Sequence, residues 1–168
     1  LYHEFDKKRV KPASHAGMWH KYQKTKLRAI CDINIKSKKI IKKIDSNVKF
    51  FTDPSKMLDQ IKPKIVSIAT WKDTHFKMTM LCIKKGIKVI VLEKPLANNI
   101  KQSKELIYQI KKNKTKVIVN HRRRFDDEII KLKKQLEQGL IGKILQVSSY
   151  YVYGLLTTGT HVIDTLRF

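Results

Sequence analysis

The feature that most narrows the fold is a short apolar run near the middle of the chain. Val89-Ile90-Val91-Leu92, entered from Lys88, has no polar residue on either alternating side, so both faces of the strand it forms must be covered. Strands of that kind sit inside parallel sheets flanked by helices. The run ends in Glu93-Lys94-Pro95. In open α/β sheets ligands bind beyond the carboxyl ends of the strands, so two opposite charges at this place are candidates for chemistry. Pro95 fixes its own φ and disfavours a helical Lys94, which directs the lysine off the strand end. An ordinary ion pair on a surface loop is the alternative reading of Glu93 and Lys94.

Similar units repeat on both sides of this run. Residues 1–14 are polar and irregular, and Ser14 is placed to cap a short helix through Met18, Trp19 and Tyr22. Residues 27–33 read as a strand carrying Asp32 at its end. A lysine-rich helix over about 36–44 follows, with Ile40, Ile41 and Ile44 as its apolar stripe. Residues 48–51 form a short strand. Asp53-Pro54 starts a helix with an N-cap acid and a proline at the first helical position, and Pro63 blocks its continuation. Residues 65–69 make another buried strand. Asp73 or Thr74 caps a helix whose Phe76, Met80 and Ile83 recur at helical spacing, and Gly86 suits a left-handed cap at its end. Beyond the central strand, Asn99 caps a helix bearing Ile100, Ile107 and Ile110, and residues 116–119 give one more strand. Strands alternating with helices from 27 to 119 predict a parallel sheet covered on both faces. After Asn120 the pattern changes. Phe125, Ile129, Leu132 and Leu136 mark an amphipathic helix ended by Gly139, and residues 144–153 alternate loosely like a strand with one wet side.

Composition excludes several classes of protein. The 168 residues suffice for one sizeable core, and no apolar run reaches membrane-spanning length. Cys31 and Cys82 lie in apolar segments and lack metal-ligand spacing, which fits reduced core residues in a cytoplasmic protein and no metal site. The net charge of +23 comes mostly from lysines scattered over every segment, which together with the many isoleucines resembles the bias of AT-rich coding DNA. A basic nucleic-acid-binding module is the rival reading, but no aromatic-plus-basic stacking platform supports it. The only true cluster is Arg122-Arg123-Arg124. The chain opens on Leu1 and stops at Phe168 within an apolar, helix-like run, so it is read as a fragment.

Five segments, in order, carry a family resemblance. Glu93-Lys94-Pro95 after its strand resembles the E-K-P signature of the Gfo/Idh/MocA family of nicotinamide-dependent oxidoreductases. Ser67-Ile68-Ala69-Thr70 followed by His75 is similar to the family's S-I-A-T-P…H segment, with Trp71 in place of the proline. Asn120 to Asp126, N-H-R-R-R-F-D, resembles the N-R-R-F-D/P junction where the second domain begins. Residues 140–144 match the G-K turn into that domain's sheet, and Gly159 to Asp164 is similar to G-x-H-x-x-D, whose histidine usually moves the proton. Many members place an aspartate four residues before that histidine; here the residue is Thr157.

The resemblance implies a Rossmann-type doubly wound parallel sheet over residues 1–120, its first strand lying upstream of Leu1, followed by the start of an α/β second domain for substrate and oligomer contacts over 121–168. It implies hydride transfer between a nicotinamide and a sugar, inositol or related polyol, in a homo-oligomer when the protein is full length, with the fragment alone inactive. Lys94 would hold the reacting oxygen and His161 would move its proton. Asp32, Ala69, Thr70, His75, Glu93, Lys94 and Arg123 would border the cofactor, and Lys94, Arg124, Thr157 and His161 the substrate. Asp32 favours NAD, because an acid accepts ribose hydroxyls and repels a 2′-phosphate, although Lys36 leaves NADP as the alternative. Asp32 also suits a plain turn, His75 a plain first helical turn, and the arginines a solvated helix start. The glycine-rich loop that would cradle a pyrophosphate is missing, since Gly17 alone does not supply it. A protein of this fold that binds the cofactor without redox turnover is the nearer rival function.

Overall fold

The computed structural model describes residues 2–168, with side chains for residues 4–155 and 157–168. Its strands form two parallel ladders. In one, β1 (Ala29–Cys31) pairs with β2 (Lys49–Phe51). In the other, β3 (Ile65–Ile68), β4 (Val89–Leu92) and β5 (Lys116–Val119) lie in that order, with Ile90 opposite both Val66 and Val117. The two ladders are not hydrogen-bonded to each other, and no strand among the described residues stands between them. This is the parallel, helix-covered architecture of a Rossmann-type domain.

Caps read from the sequence start and stop the helices. Ser14 accepts a hydrogen bond from the Gly17 amide and opens α1 (His15–Lys21). The helix α2 (Ser37–Ile44) buries Ile41 completely. Asp53 accepts from the amides of Ser55 and Lys56 at the start of α3 (Pro54–Ile61), which Lys62 ends in the left-handed region at φ 47°. At the end of α4 (His75–Lys84) the Gly86 amide bonds the Ile83 carbonyl and the Ile87 amide the Cys82 carbonyl, a pairing that requires Gly86 at its positive φ of 75°. Asn99 accepts from the Gln102 amide and opens α5 (Ile100–Lys112). The chain continues through α6 (Asp127–Glu137) to α7 (Thr160–Leu166).

The core gathers around β4. Ile90 and Leu92 are fully buried and pack with Val66 and Ile68 of β3, Cys82 and Ile83 of α4, and Leu58 of α3. Each such side chain contributes about 1.5–3 kcal/mol on burial. Val89 and Val91 are half-buried, so the run is covered on both sides as its composition demands. Cys31 and Cys82 are free, and burial pushes both thiols up to about 11. Among the described residues no helix is long and apolar enough to cross a membrane.

Three expectations are corrected. The inward face of α4 is His75, Thr79, Cys82 and Ile83, so Phe76 and Met80 flank it, because hydrogen bonds draw His75 inside. In α5 the buried residue is Leu106, with Ile110 against the core; Ile100 and Ile107 are exposed. Residues 144–153 form no strand and stand exposed, since no neighbouring strand among the described residues offers them a ladder.

Candidate active site

One side chain from α1 ties the carboxyl ends of β3 and β4, and β5 joins them through Glu93. His15 Nε2 donates to Glu93 Oε1 at 2.8 Å, and its Nδ1 accepts from the Ser67 hydroxyl. Asn120, just past β5, donates to the same Glu93 oxygen at 2.7 Å. Burial alone would push the Glu93 carboxyl up. Hydrogen bonds donated by His15, Asn120 and the backbone at Lys94 outweigh it and hold the group down at about 2. Glu93 is therefore ionised throughout the physiological range and fixes the end of β4 against α1 and β5. Sequence reasoning missed His15, whose partners lie 52 and 78 residues away. Its one local signal is a histidine in the first turn after Ser14.

The same helix start is occupied by an acid from the N-terminal segment. The Glu4 carboxylate accepts from the Ala13 amide at 3.0 Å and from the Ser14 hydroxyl at 2.7 Å. A Cβ at Gly17 would come within 2.3 Å of that carboxylate. The Glu4 carboxylate thus fills the turn into α1, and its donors, the Ala13 amide and the Ser14 hydroxyl, would face a phosphate-bearing cofactor only with that side chain withdrawn.

Asp32 stands at the carboxyl end of β1, its amide bonded to the Phe51 carbonyl. Its carboxylate accepts from the Asn34 amide at 2.9 Å and the Ser37 hydroxyl at 2.7 Å. A carboxylate offers about four acceptor positions, which leaves room for further donors. Beyond β3, Ala69 and Thr70 are exposed, and the Thr70 hydroxyl accepts from Thr74. His75 is buried, its ring bridging the carbonyls of Pro95 at 2.7 Å and Thr70 at 3.1 Å. Both ring nitrogens thus face backbone carbonyls, and His75 reaches this edge only through the two loops it lies between.

Lys94 and His161 come together. The Lys94 ammonium donates to the Thr157 carbonyl at 2.8 Å, one turn before His161. Burial lowers the proton affinity of His161, and the charges of Lys94, Arg123 and Arg122 lower it further. The imidazole is thereby kept neutral, the form that accepts a proton. Arg124 forks onto Asp164 with bonds of 2.8 and 2.7 Å and lies over the Phe168 ring, so its guanidinium is committed to α7. That fork holds the Asp164 carboxyl below the usual carboxylate range. Thr157 donates its hydroxyl to the Gly154 carbonyl. His121, which sequence reasoning passed over beside the three arginines, meets His161 edge to face with ring centroids 6.1 Å apart.

Comparison with known proteins bears on the fold and the family. Residues 11–121 match the oxidoreductase family with the NAD-binding Rossmann fold. The chain is 33% identical over 110 residues to the uncharacterized oxidoreductase YhhX of Escherichia coli, covering 66% of this chain and 32% of that protein. It is 30% identical over 103 residues to the myo-inositol 2-dehydrogenase of Thermotoga maritima, covering 60% of this chain and 30% of that one. The chain thus spans about a third of the length of these relatives. It superimposes with a TM-score of 0.77 at 23% identity on scyllo-inositol dehydrogenase from Lactobacillus casei, solved with NAD(H) and scyllo-inositol, over 92% of this chain and 53% of that one. With a charged lysine and a neutral histidine converging beyond a Rossmann-type sheet, and the family match covering most of that sheet, the chain belongs to the Gfo/Idh/MocA oxidoreductase family with the NAD-binding Rossmann fold.

Proposed function

We propose that this chain provides the cofactor half and the acid–base residues of an NAD-dependent dehydrogenase acting on a carbinol of a sugar, inositol or related polyol. The observation that carries the reading is the meeting of Lys94 with the turn that bears His161. Bound NAD supplies the hydride acceptor; the remaining work falls to the protein. Lys94 binds the reacting oxygen and stabilises the negative charge that develops on it as the carbon–hydrogen bond breaks. His161, neutral and flanked by cations, takes the hydroxyl proton. Glu93 keeps the strand end that carries Lys94 in place. Asp32 receives the adenosine ribose hydroxyls, and Ala69, Thr70 and Arg123 border the nicotinamide side. The dinucleotide domain ends near residue 120 and the substrate domain begins there, in a cytoplasmic homo-oligomer. The named inositol dehydrogenases among the similar proteins support a polyol as substrate.

The test is reduction of NAD by the full-length enzyme with myo-inositol, scyllo-inositol and a panel of glucosides. Turnover with at least one of them is expected, and Lys94→Ala and His161→Ala should each lower kcat by about 10²–10⁴-fold. Tight NAD binding with no polyol oxidised would instead establish a binding protein of the same fold.

A further inference from the structure

A base that accepts a proton among cations needs somewhere to send it. Around His161 stand Lys94 beyond β4, Arg122 and Arg123 on the turn Arg122–Phe125, and His121 at the start of that turn. The residue four places before it is Thr157, which carries no charge to balance an imidazolium. One carboxylate does lie close, although not at that position. Asp164 Oδ2 is 3.6 Å from His121 Nδ1, within ion-pair range but too long for a good hydrogen bond.

Two further observations converge on the same spot. The rings of His121 and His161 meet at 83°, edge against face. The Nδ1 atoms of both are buried without a hydrogen-bond partner. A buried polar atom left unpaired costs free energy, and most buried nitrogens in folded proteins avoid it. Two such atoms on two touching imidazoles, with a carboxylate beside one of them, form a place where a proton can be accepted and held. Arg124 fixes that carboxylate through two hydrogen bonds, so its position does not depend on His121.

We propose that His121 is a positioning residue of the acid–base apparatus, relaying the proton from His161 with Asp164 as its counter-charge and so standing in for the aspartate replaced by Thr157. The inference rests on the assignment of His161 as the base. In the oxidative direction the carbinol O–H bond breaks and its proton goes to His161, while the hydride leaves carbon for NAD⁺. The opposite ring nitrogen of His161 then gives up its own proton to the unprotonated nitrogen of His121. His161 returns to neutral, and the positive charge rests on His121 beside Asp164. At the observed ring separation the transfer needs a small ring rotation or one bridging water.

The experiment uses His121→Asn and His121→Gln in the full-length enzyme, with Thr157→Asp added to each. With NAD⁺ and the polyol turned over by the wild type, either single variant should lower kcat by about 10- to 100-fold, leave KM within about twofold and change the pH profile of kcat. Thr157→Asp should restore most of the loss. A change in KM alone, or no recovery with Thr157→Asp, would overturn the proposal. The second readout needs neither cofactor nor turnover. In the NMR titration of the His161 ring protons, the wild type should show the two-step curve of a coupled pair, and His121→Asn a single step. Identical curves in the two proteins would also overturn it. A wild type that oxidises no polyol yet shows the coupled titration would reject the dehydrogenase reading while retaining the histidine pair.

Discussion

Glu93→Gln isolates what the ionised carboxylate contributes, because glutamine keeps an acceptor oxygen for His15 and Asn120 and removes only the charge. The wild-type carboxyl is held at about 2 against an ordinary 4.5. At 1.36 kcal/mol per unit that difference corresponds to about 3 kcal/mol, and the partial exposure of the side chain to solvent reduces it to about 2 kcal/mol. The sign follows from linkage. Between pH 4.5 and 2 the unfolded chain binds a proton that the folded one refuses, so stability falls as pH falls through this window and is complete above it. Urea unfolding followed by tryptophan fluorescence measures the effect, since Trp19 lies on α1, the helix that His15 ties to Glu93. At about pH 6 the variant should be less stable by about 2 kcal/mol, with the gap closing as the pH approaches the folded value. A gap that stays constant down to acid pH, or a variant as stable as the wild type at neutral pH, would refute the reasoning.

Asp32→Ala should weaken NAD binding by about 1–3 kcal/mol through unpaired ribose hydroxyls, and an unchanged dissociation constant by calorimetry would count against that role. Ile90→Ala, at a fully buried site in the middle of β4, should cost about 2–5 kcal/mol in the same urea assay. A loss below about 1 kcal/mol would mean that the core closes over the cavity.

Elements whose signals are local were legible in the sequence. The Ser14, Asp53 and Asn99 caps, the Gly86 turn and the strand from Val89 to Leu92 all stand where their chemistry put them. The inward face of a helix is set by what lies opposite, and there periodicity failed. In α5 the spacing offered two stripes, and contact with the sheet chose the one holding Leu106 and Ile110. In α4 the face turned because a histidine, polar by composition, found two carbonyls inside. The alternation over residues 144–153 is a strand signal only in the presence of a partner strand. In the candidate site, Lys94 and His161 were legible through motif order. His15 and His121 were not, because each acquires its meaning from residues far away in the chain.

The two ends of the site work by opposite electrostatics, and this separates their roles. At the β4 end, hydrogen-bond donors surround Glu93 and hold it charged, so it neither gives nor takes a proton anywhere near neutral pH. At the α7 end, burial and cations surround His161 and hold it neutral, so it is ready to take one. Two titratable groups pushed apart in this way sort themselves into a fixed anchor and a working base. Because the proton affinity of His161 is lowered, the base form persists to lower pH than in a free imidazole, and any acid limb of the turnover profile belongs to it rather than to Glu93. The acid limb should therefore survive Glu93→Gln, although the stability of the fold that carries it does not survive unchanged.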